Sequence, residues 1–196
     1  VLSQEAYTAY PGHTFFGSYV YSWTAKKWEF ELSGTANWNL SDNKTDNQNR
    51  IEKISTAQLL TSNLNQVSNK GNALVIGNGF ETKLKIDSSG SEWTSQVFYY
   101  NTHNNSDQAY STRYYSPAIF ITAGDGSADN KRELVSGRTD LRLKLKKRFT
   151  LETGLKSTLH LFKNNTLFYT ETGGIRQPDV NRTNRFNYKE NINSAY

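Results

Sequence analysis

The chain has no cysteine and no methionine among its 196 residues, and only three prolines. Without cysteine there is no disulfide framework and no thiolate to hold a metal. Scarce proline leaves long stretches free to pair as strands, because proline removes a ladder donor. Long hydrophobic runs are missing as well. Hydrophobic residues make up 35% of the chain and mean hydropathy is −0.75. No run approaches the roughly 18–20 apolar residues of a membrane-crossing helix, which excludes a helical membrane protein. The chain opens on Val1 with no basic stretch leading into an apolar core, so the expectation is a mature or internal piece of a protein.

Aromatic residues are plentiful, with 12 Tyr, 10 Phe and 4 Trp, and they sit in alternating patterns. Between positions 28 and 40, Trp28, Phe30, Leu32, Gly34, Ala36, Trp38 and Leu40 alternate with Glu29, Glu31, Ser33, Thr35, Asn37 and Asn39. A period of two is the signature of a strand with one apolar face. This strand is much longer than the roughly 5–6 residues usual in globular domains. Trp28 and Trp38 share a face ten residues apart, so at about 3.3 Å per residue they stand ~33 Å apart. A tilt of about 40° reduces that to ~25 Å, the height of the apolar band between the aromatic girdles of a membrane β-barrel.

The same construction recurs. Residues 15–23 pair with 28–40 through the short connection Thr24-Ala25-Lys26-Lys27, and 80–87 pair with 93–100 through 88–92. Trp23, Trp28 and Trp93 flank these turns and, with Trp38, form a candidate aromatic girdle. In a third hairpin, Leu141, Leu143 and Leu145 alternate with Arg142, Lys144 and Lys146, the chain reverses near Lys147-Arg148, and Leu151, Leu155, Leu159 and Leu161 alternate with Glu152, Lys156, Thr158 and His160. Glu29, Glu31, Arg142, Lys144, Lys146, Glu152 and Lys156 are the candidate polar residues facing a wet lumen. Residues 186–196 alternate more weakly. The polar stretches 41–50, 102–109, 124–131 and 163–185 are expected as long loops, opposite the short turns. Residues 51–60 and 110–121 are weaker strands, the second interrupted by Pro117.

Alternation alone fits a soluble β-sandwich equally well, for instance a secreted glycan-binding module. Gly34 and Ala36, in the middle of the apolar face, argue for lipid, which conforms to any surface, over a core that needs volume. The net charge of +5 raises nucleic-acid binding, but the basic residues share their faces with acids such as Glu29, Glu31, Glu81 and Glu152, so no nucleic-acid partner is expected. His13, His103 and His160 have no metal-ligand spacing. No GxSxG elbow occurs, and Gly77-Asn78-Gly79 lacks the third glycine of a phosphate cradle. Asp42 with Asp46, and Asp125 with Asp129, read as solvated positions. No enzyme, cofactor or metal is expected.

The stretch Leu151-Glu152-Thr153-Gly154-Leu155-Lys156, followed by Arg182-Thr183-Asn184-Arg185-Phe186-Asn187-Tyr188-Lys189-Glu190-Asn191-Ile192-Asn193-Ser194-Ala195-Tyr196, resembles the outer-membrane β-barrel family of Bacteroidetes over residues 139–196. The resemblance implies an all-β fold: a meander of long antiparallel transmembrane hairpins, part of a larger barrel of TonB-dependent-receptor type. It also implies an outer-membrane location, nutrient uptake, and as partners membrane lipid, a TonB-type energiser and a surface lipoprotein. Residues 1–196 are expected to be one barrel section without the plug that usually precedes it. A structural, non-transporting barrel is the alternative within that class.

Overall fold

A computed structural model describes residues 1–146 and 149–196, apart from the side chain of Lys146. Its nine strands form one sheet: β1 (Leu2–Ala9), β2 (Gly12–Ala25), β3 (Trp28–Glu52), β4 (Leu59–Lys85), β5 (Glu92–Ser116), β6 (Phe120–Lys146), β7 (Phe149–Thr172), β8 (Ile175–Pro178) and β9 (Asn184–Ala195). Every pairing is antiparallel. β1 and β2 lie along the same edge of β3, opposite residues 44–51 and 28–41 respectively, so they are two halves of one wall strand. The break falls at Tyr10-Pro11, where proline has no N–H to give, although its carbonyl still accepts from the Asp42 N–H at 2.9 Å. β8 and β9 share the outer edge of β7 in the same way, separated by residues 179–183. The wall is therefore seven collinear runs, each hydrogen-bonded to its neighbours in the sequence.

The expected hairpins are present, and the expected long loops are not. Residues 41–50, 102–109 and 124–131, and most of 163–185, belong to strands. The connections at that end are 53–58, 117–119 and Gly173-Gly174, the last two residues both at positive φ. Residues 51–60 and 110–121 each contain a turn between two strand ends, and Pro117 lies at the tip of the second. These stretches look like loops because they carry few apolar residues, but a sheet wet on both faces needs none. Its backbone groups are satisfied by the ladder, and its side chains pair across strands: Gln108 Nε2 donates to Asn69 Oδ1 at 2.8 Å, and Asn49 Nδ2 to Asn63 Oδ1 at 3.0 Å.

At the other end the turns are Lys26-Lys27, with Lys26 at φ 56°, and residues 86–91. In the second, the Asp87 carboxylate accepts from the backbone N–H groups of Ser89 (2.8 Å) and Ser91 (3.1 Å) and from the Ser89 hydroxyl. These donors, the Ser89 hydroxyl first, hold its carboxyl far below the usual carboxylate range. The turn expected at Lys147-Arg148 lies outside the described residues.

No second layer covers the sheet. Among the described residues no hydrophobic side chain is buried, and Leu155 and Val97 are 59% and 51% exposed in mid-strand. A β-sandwich is ruled out, since its inner faces would bury such residues against each other.

Register decides what shares a face. Directly opposed residues point the same way, so Trp28, Leu84, Trp93 and Leu141 lie in one row, and Trp38 and Leu74 lie ten residues along. The apolar span reaches from Trp28 to Leu40 on β3, and over ten residues on β4 (Leu84 to Leu74) and on β7 (Leu151 to Leu161). Its far boundary crosses the strands obliquely, from Leu40 on β3 and Leu74 on β4 to Tyr99 on β5 and Val135 on β6, moving toward the short turns. The polar remainder of each strand, about 12 residues on β3, projects beyond the band on one side only.

Gly34 is not left to lipid. Tyr19, directly opposite on β2, lays its ring over Gly34, which is buried, and donates its hydroxyl to Asn78 Oδ1 at 3.0 Å. A glycine admits this close approach, and the tyrosine satisfies an amide in the middle of the apolar face.

Candidate functional site

The candidate site is the wall itself and the division of its two faces. Period-two alternation places Trp23, Trp28, Trp38 and Trp93 on the apolar face. Three of them gather beside the short turns. Trp28 meets Trp93 edge-on with ring centroids 5.7 Å apart, Trp23 stacks on Phe30 at 5.0 Å, and Phe80 closes the cluster 6.3 Å from Phe30. Trp38 stands at the other end of the band, 5.5 Å from Phe15, with its indole N–H donating to Asn72 Oδ1 at 2.6 Å. The Trp93 N–H reaches Thr139 Oγ1 at 2.7 Å. Trp38 and Trp93 thus each have an apolar body on the band and a polar partner for the indole N–H.

Glu29, Glu31, Arg142, Lys144, Glu152 and Lys156 lie on the opposite face, while the Lys146 side chain is outside the described residues. They join a belt of mixed sign near the short turns, where Glu31 faces Glu81 and Lys156 faces Arg138 but other charges pair. Glu29 pairs with Lys85, Lys83 with Glu92 at 2.8 Å, Arg142 with Glu152 at 3.1 Å, and Arg138 with Asp140 at 2.7 Å. Tyr196 lies over Gly154 and bonds both Asp140 and Arg138. Above the belt this face turns aromatic, with Phe98, Tyr100, Leu134, Phe162, Tyr188 and Ile192. β9 is therefore inverted in phase: Phe186, Tyr188 and Ile192 point to the charged face, and Asn187, Lys189, Asn191 and Asn193 to the apolar one.

The model of the outer membrane protein beta-barrel family matches residues 84–196. The chain belongs to that family. Comparison with curated proteins finds no match. This barrel protein is located in the bacterial outer membrane, and there the exposed apolar face is the one that lipid tails can solvate. The open sheet of seven runs is a partial barrel wall.

The outer-membrane barrel wall also holds two clusters that the sequence does not announce, each built on an arginine of the stretch 163–185. Arg176 on β8 bonds Asp125 bidentately (2.9 and 2.7 Å) and lies over the Tyr169 ring, 3.5 Å from its centroid. This pair stands beyond the apolar band, and the guanidinium holds the Asp125 carboxyl below its usual range. On the other face, Arg182 reaches back across β7 and β6, stacking on Phe168 at 4.0 Å and bonding Gln108 Oε1 at 3.2 Å. The family-like Arg182-Thr183 pair sits in the break between β8 and β9. There Thr183 Oγ1 accepts from the Phe168 N–H at 3.1 Å, replacing a ladder bond that the break removes, and donates at 3.4 Å to the Phe168 carbonyl, which also accepts from the Asp179 N–H at 2.8 Å. One signal would have exposed these strands: Leu167-Phe168-Tyr169-Thr170 and Ile175 flank Gly173-Gly174, a two-residue hairpin turn. His103 and Asp129, read separately from sequence, meet at 2.9 Å, and His160 accepts from Arg132 Nε at 2.6 Å.

Proposed function

We propose that this wall is part of a TonB-dependent-receptor-like transporter of Bacteroidetes, engaged in nutrient uptake and without catalytic activity. The observation that carries this reading is that both long edges, β1/β2 on one side and β8/β9 on the other, have unpaired backbone groups. In lipid every such group needs a partner, so the complete barrel has more strands than these seven runs. Larger barrels enclose a lumen wide enough for a solute path or a plug. The charged belt and the aromatic patch above it supply the mixed polar and apolar lining that such a lumen needs. The four tryptophans act as the aromatic girdle, with the short turns in the periplasm and the polar strand halves outside the cell, where they meet substrate. A TonB-type energiser and a surface lipoprotein are the protein partners of this reading. Nucleic acid is not a partner, because the cations of the charged face are matched by acids.

The test compares the parent strain with a deletion strain on a panel of sole nutrients: sugars, peptides and iron chelates. The expected result is lost growth on one nutrient class and uptake of that radiolabelled nutrient that stops with a protonophore. Unchanged growth on every nutrient, with a weakened permeability barrier, would establish the structural barrel instead.

A further inference from the structure

The outer boundary of the apolar band is not uniformly polar. Across β6 and β7 it is basic. Lys131 and Lys163 are directly opposed in the ladder, on the apolar face, and Lys163 lies two residues beyond Leu161, the last apolar residue of the β7 span. On β9, Lys189 stands opposite Leu161, and Arg185 lies four residues further out on the same face. All four cations are exposed, and among the described residues none of them makes an ion pair. Two acids share the patch: Glu133, beside Lys131, and Asp129, which His103 already holds. Like charges directly across a ladder destabilise a sheet, and here the surplus sits on three neighbouring strands, two strand spacings or about 10 Å across. On the other face Lys83, Lys85, Arg138 and Arg142 each have a carboxylate partner; these four cations have none among the described residues.

We propose that this rim binds the phosphate of an outer-leaflet lipid whose acyl chains run down the apolar face beside Leu159 and Val135. An anion between Lys131 and Lys163 removes their repulsion, and the adjoining apolar span supplies the surface that distinguishes a lipid from a free ion. The proposal rests on the membrane-facing assignment in the reading above and does not depend on transport.

The test uses the full-length protein folded in detergent, with native mass spectrometry counting bound lipid. The probes are phosphatidic acid, diacylglycerol with the same chains, and inorganic phosphate as competitor. The expected result is discrete phosphatidic acid adducts, half-saturated at a concentration about tenfold below that for diacylglycerol, and weakened about tenfold by Lys131→Gln with Lys163→Gln. Lys44→Gln, further out on the same face, leaves binding unchanged. Should the double variant fail to show heat-modifiable migration, Lys131→Arg with Lys163→Arg must bind as the parent does and Lys163→Gln alone must weaken binding. Equal affinity for the two lipids, or indifference to these substitutions, overturns the proposal, and full displacement by inorganic phosphate reassigns the rim to a free anion. A protein that extracts into buffer without detergent would instead overturn the membrane assignment itself.

Discussion

Replacing Gly34 by alanine separates two accounts of the apolar face by the sign of its effect. In a strand open to lipid, Gly→Ala reduces the entropy lost on folding and stabilises by about 0.5–1 kcal/mol. At Gly34, however, a Cβ would lie 2.5 Å from Tyr19 Cζ and 2.7 Å from its hydroxyl oxygen. The ring must move, and its hydrogen bond to Asn78 goes with it. Overpacking of this kind costs about 1–3 kcal/mol, and the lost hydrogen bond about 0.5–1.5 kcal/mol. The net expectation is a destabilisation of about 0.5–4 kcal/mol, centred near 2. With Tyr19→Ala in place the obstacle is gone, and Gly34→Ala becomes stabilising by about 0.5–1 kcal/mol. Reversible denaturant unfolding of the full-length protein in vesicles, followed by tryptophan fluorescence through the double-mutant cycle, measures both values. A stabilising Gly34→Ala in the parent, or the same effect in both backgrounds, refutes the tyrosine-over-glycine account.

Thr183→Ala leaves the Phe168 N–H and carbonyl without their side-chain partner and should cost about 1–2 kcal/mol in the same unfolding assay, with Thr183→Ser restoring most of it. Asp125→Asn should release β8 at neutral pH, read as faster amide hydrogen exchange at residues 175–177. In the parent, Arg176 depresses the Asp125 pKa, so the pair's contribution is complete above the unfolded-chain pKa of about 4 and fades only as pH falls through the lower folded value. Both side chains are half exposed, so solvent screens the pair and the effect is small. Loss of β8 protection already between pH 6 and 5, on the order of two units too early, would contradict this pairing.

Much of the wall was legible in the alternation of a few segments. Trp28, Phe30, Leu32 and Trp38 against Glu29, Glu31, Ser33 and Asn37 can form only a two-faced strand, and the hairpins around Lys26-Lys27 and residues 86–91 followed from their flanking tryptophans. The distal halves were misread because Asn, Asp, Ser and Thr carry the same signal in a loop and in a strand wet on both faces. What distinguishes the two is a neighbouring strand, and neighbours are absent from a linear pattern. Arg176, Asp125 and Tyr169 come from three different strands, so nothing local announced their cluster.

The sequence by itself determined that this protein is built of long two-faced strands, that their apolar reach matches a membrane, and that no helix crosses one. Those properties depend on the period of the pattern, which each strand carries alone. Only the tertiary structure decided which residues share a face across the wall. Phe186, Tyr188 and Ile192 turn to the charged face because Ile192 is opposite Thr158 and Tyr188 opposite Phe162. A shift of one residue would reverse every one of them. The same register set Lys131 against Lys163 and slanted the apolar band across the strands. Periodicity is a property of one strand, whereas register is a property of two.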